Sequence, residues 1–148
     1  MNYDLTSNKV VETAMKISLN VLKNKSKSAY EMIKILSMLP RGLDLEMISR
    51  IISKNYQENL QKLTNFSLVK KYDKGDTKYY CVHPNIITYV ENEINTEEKL
   101  KYHEKICEEY LKRCERIYKN VGTLSPSSQK YQEMFLNEED NYRAIILR

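Results

Sequence analysis

Residues 8–23 place Val10, Ala14, Ile17 and Val21 at helical spacing, with Val11, Met15 and Leu22 beside them. That pattern predicts a first helix with a broad apolar stripe. The polar run Asn24-Lys25-Ser26-Lys27 breaks it, and Ser28-x-x-Glu31 has the form of a capping box opening a second helix. Met32, Ile33, Leu36 and Leu39 make the buried face of that helix, and Pro40-Arg41-Gly42 ends it. Asp44 is placed to cap a third helix carrying Leu45, Ile48 and Ile52. A fourth short helix over 55–65 aligns Tyr56, Leu60 and Leu63, with Phe66 closing it against the core.

The period then changes. Ser67-Leu68-Val69-Lys70-Lys71-Tyr72 alternates as a half-buried strand does, Asp73-Lys74-Gly75-Asp76 signals a turn, and Lys78-Tyr79-Tyr80-Cys81-Val82-His83 returns. Pro84 suits the first position of a further helix whose apolar face is Ile86, Ile87, Val90 and Ile94. A hairpin this short needs helices to lean on. Over 96–119, Leu100, His103, Cys107, Tyr110, Cys114 and Ile117 repeat at alternating three and four, widened by Ile106, Leu111 and Tyr118. Gly122 and Ser125-Pro126 interrupt this helix. A last one carries Tyr131, Met134, Phe135, the acidic run Glu138-Glu139-Asp140, then Tyr142, Ile145 and Ile146. The run reads as a solvated helix start, where acidic side chains complement the helix dipole. The expected fold is mainly α: a winged helix over 1–94, with helices and one hairpin, then a helical arm over 95–148 that begins an α-superhelix. The apolar face still runs at Arg148, which points to a segment of a longer protein.

Composition narrows the class. The 148 residues suffice for one core, and glycine and proline number only three each, too few for a barrel, a sandwich or a Gly-rich phosphate loop. No apolar run reaches the roughly 18 residues a membrane span needs, and the first residues lack the basic flank and apolar stretch of a secretory signal. Cys81, Cys107 and Cys114 stand apart, as reduced thiols of a cytoplasmic protein would. The net charge of +4 permits an acidic partner without demanding one.

Four phrases, in order, carry a resemblance. Ile35-Leu36-Ser37-Met38-Leu39-Pro40-Arg41-Gly42-Leu43 is similar to the "L-S-x-L/F-P-x-G" phrase in the winged helix of STAND-type NTPases, the NB-ARC and NACHT-like switch ATPases. Phe66-Ser67-Leu68-Val69 resembles that family's "x-S-L-V" strand entry. Tyr79-Tyr80-Cys81-Val82-His83-Pro84 resembles its "Y-x-x-H" phrase, whose plant form is Met-His-Asp, with Val82 and Pro84 here at the flanking positions. Asn137-Glu138-Glu139-Asp140-Asn141-Tyr142-Arg143-Ala144-Ile145 resembles "E-x-D-N-L-R-A-A-L", which introduces a TPR-like superhelical region. The resemblance implies a regulatory piece of a nucleotide-switched signalling ATPase, with ADP or ATP held by the parent protein. The nucleotide-binding domain of that chain and other protein domains would be its partners. It also implies that His83 contacts the ADP diphosphate. The chain has no G-x-x-x-x-G-K-[ST] loop, so no ATPase chemistry of its own is expected, and no cofactor in this segment.

Three other chemistries bear on these residues. A winged helix can bind DNA, and Lys70, Lys71, Lys74 and Lys78 on the hairpin would serve, but the helix at 55–65 carries one lysine, one glutamate and no arginine. Phosphate neutralisation supplies much of DNA affinity, so nucleic acid ranks second as a partner. Cys81-x-His83 and His103-x3-Cys107-x6-Cys114 do not give the paired spacings of a four-ligand zinc site, and are better read as core residues. His103 and Cys107 stand at i, i+4 without an identifiable oxyanion donor or orienting group, so no nucleophilic catalysis is assigned.

Overall fold

A computed structural model of the chain describes residues 3–52, 54–121 and 126–147. Their order is α1 (Tyr3–Lys25), α2 (Lys27–Ser37), β1 (Leu43–Asp44), α3 (Leu45–Ile51), α4 (Tyr56–Asn65), β2 (Val69–Lys74), β3 (Thr77–Val82), α5 (Pro84–Asn92), α6 (Thr96–Val121), α7 (Pro126–Asn137) and α8 (Glu139–Ile146). The protein is mainly helical with one small antiparallel sheet in the order β1-β3-β2. Among the described residues no helix is long and apolar enough to cross a membrane.

The middle of the fold is α2. Residues 32–39 are all buried, and α1, α4, α5 and β3 pack around them. The cap of α2 differs from the sequence expectation. Ser26 takes the N-cap position and its hydroxyl accepts from Ala29 N at 3.4 Å, while Ser28 donates to Asn59 Oδ1 at 3.0 Å and so ties α2 to α4. Asp44 caps α3 as expected, accepting from Met47 N at 2.9 Å. Pro84 does open α5, with His83 as its N-cap.

Three apolar stripes are rotated from the predicted register. On α1 the buried positions are Met15, Leu19 and Leu22, while Val10 is 69% and Ile17 is 59% exposed. Valine and isoleucine at i, i+7 looked like a core face, but the core meets α1 only along its second half, on the adjacent face. On α6 the buried line is Tyr102, Ile106, Tyr110, Arg113 and Ile117; Leu100, Leu111 and Tyr118 are exposed. On α3 it is Met47, Ile48 and Ile51 that are buried, and Leu45 faces out. The hydrophobic core is a single cluster that includes Leu36, Ile48 and Val82 as well as Tyr102, Ile106 and Tyr142.

The hairpin is a six-residue pair, Val69↔Val82 to Lys74↔Thr77, and its start was expected two residues early. Ser67 N donates to Thr64 O at 2.9 Å and Leu68 N to Leu63 O at 3.0 Å. This double closure is a Schellman cap, and Ser67 stands in its left-handed position at φ +56. Ser67 and Leu68 therefore belong to the end of α4. The third strand, β1, carries no alternation to read, since it has only two residues; it pairs Leu43↔Tyr80 and Asp44↔Tyr79.

Gly42, at φ +65, makes that pairing close. A Cβ there would overlap the Tyr80 carbonyl oxygen and stand 2.8 Å from Cys81 Cα. Gly75 also has positive φ, but nothing lies within 4 Å of its missing Cβ. Gly42→Ala is expected to cost about 3 kcal/mol or more, and Gly75→Ala about 1 kcal/mol, read from urea midpoints. At the α4 cap, Ser67→Gly is expected to raise stability by about 0.5 kcal/mol, because relief of left-handed strain exceeds the added unfolded-state entropy. Equal losses for the two glycines, or a loss at Ser67→Gly, would contradict these assignments.

Candidate functional site

His83 sits where β3 ends and α5 begins. Its backbone N–H donates to Leu68 O at 2.9 Å, so the residue is fixed between the α4 cap and the hairpin exit. Its Nδ1 accepts the Asn85 backbone N–H at 3.3 Å. A ring whose Nδ1 accepts carries its neutral-state proton on Nε2. Among the described residues that Nε2 has no hydrogen-bond partner. The side chain is half-buried. Burial holds its pKa below the ordinary imidazole value, and the Lys70 charge adds to this. At neutral pH His83 is therefore an uncharged, outward-capable N–H donor beside a lysine.

Lys70, Lys71, Lys74 and Lys78 are all exposed. The register divides them. Lys71 shares one face of the ribbon with Asp73 and Lys78, and Asp73 stands directly opposite Lys78; Lys70 and Lys74 lie on the other face. On α4 the one lysine, Lys62, is engaged by Glu58 at 2.7 Å.

The densest polar arrangement lies elsewhere. Arg113 of α6, only 2% exposed, gives Nη1 to Asp44 Oδ2 at 2.6 Å and to Glu138 Oε1 at 2.7 Å, and Nη2 to Asp44 Oδ1 at 3.1 Å. Glu138, expected on the solvated start of a helix, is fully buried. Only its neighbours match that expectation: Glu139 and Asp140 are exposed and pair with Arg143 at 2.6 Å and Arg41 at 2.5 Å. Burial pushes the Glu138 carboxyl above the ordinary carboxylate range, against the pull of Arg113 and with the push of Asp44. Beside it Asn141 is also buried. Its Oδ1 accepts from Arg41 N at 2.9 Å, and its Nδ2 donates to Gly42 O at 2.8 Å and Tyr110 Oη at 3.0 Å. Tyr72 Oη completes the turn by donating to Arg41 O at 2.6 Å.

Sequence reasoning did not single out Arg113, and it placed Glu138 and Asn141 only in the last phrase and the acidic run, with no buried role. The available signal was an arginine at the apolar register of α6, at i+11 from Tyr102 and three residues after Tyr110. A buried arginine requires buried acceptors. Their identity, 69 residues upstream and 25 downstream, is tertiary information.

Cys81, Cys107 and Cys114 are free and half-buried. His103 is engaged by the Ile145 carbonyl oxygen, 3.1 Å from Nε2, with Cys107 Sγ 3.7 Å from the ring. Among the described residues no three His, Cys, Asp or Glu side chains gather as a metal ion would require.

The raised Glu138 pKa has a signed consequence. Between the ordinary carboxylate value and the raised one, the folded state holds a proton that the unfolded state has lost. Glu138 therefore makes the fold less stable as pH rises through that interval. Glu138→Gln should remove this slope, seen as a pH-dependent difference in urea midpoints between the two proteins as pH rises above the ordinary carboxylate value; a constant difference would refute it. No family model matches the chain, and neither a curated protein nor a solved structure matches it.

Proposed function

We propose that this chain is a non-catalytic winged-helix module, with the start of a helical arm, from a nucleotide-switched signalling ATPase of the cytoplasm. In this reading β2 and β3 are the wing, and the module closes over the ADP-loaded nucleotide-binding domain of the parent protein and swings away on activation, a rigid-body hinge transition. The arm passes the movement to further protein domains.

The observation that carries the reading is the state of His83. Its Nδ1 is engaged with the start of α5, which orients the ring and leaves Nε2–H as the donor. A phosphate oxygen is a fitting acceptor for that donor, and Lys70 adds positive charge next to it. The four family-like phrases lend support because two of them meet: Asn141 and Asp140 of the last phrase hold Arg41 and Gly42 of the first.

The test uses the full-length protein. It is expected to purify with ADP, and His83→Asn is expected to speed ADP release by about tenfold, the loss of one charge-assisted hydrogen bond. Asparagine keeps the N-cap of α5, so stability should hold. Unchanged ADP release in His83→Asn would remove His83 from the mechanism. A full-length protein that retains no nucleotide but binds duplex DNA, with salt-sensitive affinity lost on Lys70 and Lys71 substitution, would replace this reading with that of a DNA-binding regulator whose helical arm dimerises.

A further inference from the structure

The fold leaves an apolar line on α6 uncovered. Leu100, Leu111 and Tyr118 are 62%, 65% and 85% exposed, and the half-buried Cys107 and Cys114 fill the gaps between them. The five follow one another at seven, four, three and four residues, so they share one stripe about 27 Å long. The core uses a different stripe of the same helix, Tyr102 to Ile117.

A row of exposed charges runs beside the uncovered stripe. Glu97, Lys101 and Glu104 form its first half, Lys112, Glu115 and Lys119 its second, and Glu108 stands in the middle. Read from the other end, the row repeats with every sign exchanged. Lys112 is engaged by Glu108 at 2.8 Å and Glu109 at 2.9 Å. Glu97, Lys101, Glu104, Glu115 and Lys119 make no ion pair among the described residues.

We propose that two copies of the chain associate through this face of α6 as an antiparallel, two-fold symmetric pair. Two antiparallel helices related by a two-fold axis bring the same flank of each face to face, one sequence running against the other. Leu100 then stands level with Tyr118 of the second copy, and Cys107 with Leu111. The same register sets Glu97 near Lys119, Lys101 near Glu115 and Glu104 near Lys112, and the symmetry makes each pair twice. Charges beside an apolar seam choose the partner and its direction. The one like-charged contact, Glu108 with its own copy at the axis, is compensated by the Lys112 that each already holds. A parallel pair would bring the charged row against the other side of the stripe, where His103 and Tyr110 are engaged by α8. A row of alternating sign suits neither a uniformly acidic nor a uniformly basic partner, and it does suit itself. The pairing rests on α6 alone, apart from His83 and the hairpin.

Sedimentation equilibrium of the chain tests this. A face with three large apolar side chains per copy belongs to the small, transient class of interfaces, with a dissociation constant on the order of 10–100 µM. Leu111→Glu is expected to weaken association by about tenfold or more. Lys101→Glu/Lys119→Glu makes the row mostly acidic, and Glu97→Lys/Glu115→Lys makes it mostly basic; each double variant alone is expected to lose about tenfold or more. An equimolar mixture of the two restores opposite signs at every pair and should associate within about threefold of the parent. All five substituted positions are exposed, so an unaltered thermal midpoint in dilute solution verifies that each variant folds. A chain that stays monomeric up to about 1 mM lies outside this affinity range and overturns the proposal. Association that survives Leu111→Glu, or a mixture that fails to restore it, would place the contact on another face and overturn the proposal equally.

Discussion

The guanidinium of Arg113 is the point at which the chain's two halves become one electrostatic unit. It lies between Asp44, whose carboxylate also caps α3, and Glu138, which makes no side-chain cap bond. Asp44 also occupies the β1 strand; Glu138 stands at the N-cap position of α8. One guanidinium thus serves two buried carboxyl groups. Burial of a carboxylate costs several kcal/mol unless it is paired, so deletion of Arg113 would strand two charges at once. Replacing the trio by well-packed apolar residues need not destabilise, since buried ion pairs roughly balance their own desolvation. What the trio supplies is register: it admits one placement of α6 against β1 and the α7–α8 corner.

A second constraint sits beside it. The turn at Arg41 and Gly42 has no regular partner strand or helix for its own polar groups, and three foreign side chains satisfy it. Asn141 takes the Arg41 N–H and the Gly42 carbonyl, Tyr72 takes the Arg41 carbonyl, and Asp140 pairs with the Arg41 side chain. Asparagine is suited to this place because it presents an acceptor and donors in one uncharged plane. Aspartate would keep the acceptor, lose both donated bonds and bury a further anion near Glu138.

Element types were largely legible in the sequence, because period 3.6 and period 2 are local signals. The long helix 96–119, the hairpin turn at Gly75, the Asp44 cap and Pro84 at the head of α5 all follow from neighbours in the chain. Which face is buried was less legible. On α1, Val10 and Ile17 are as apolar as Leu19 and Leu22, and only the position of α2 and α5 decides between the two stripes. The Ser28 box failed because Ser26 offered an equally good cap two residues earlier and Asn59 competed for the Ser28 hydroxyl. For the candidate site, the place of His83 at the strand-to-helix junction was readable, but its tautomer was not, since that depends on the Asn85 N–H.

The span from Arg41 to Asn141 bears on how the protein is made. A ribosome adds residues at about 5–20 per second, so the turn at Arg41 emerges several seconds before the side chain that completes it. Throughout that interval the nascent N-terminal part has its turn solvated rather than clasped, and Asp44 has no guanidinium. Its helices can form early, since their contacts are local, but the final locking waits on Asn141, 100 residues further along the chain. Translation is thereby coupled to folding in a fixed order, and α8 serves as the proofreader of the turn at Arg41.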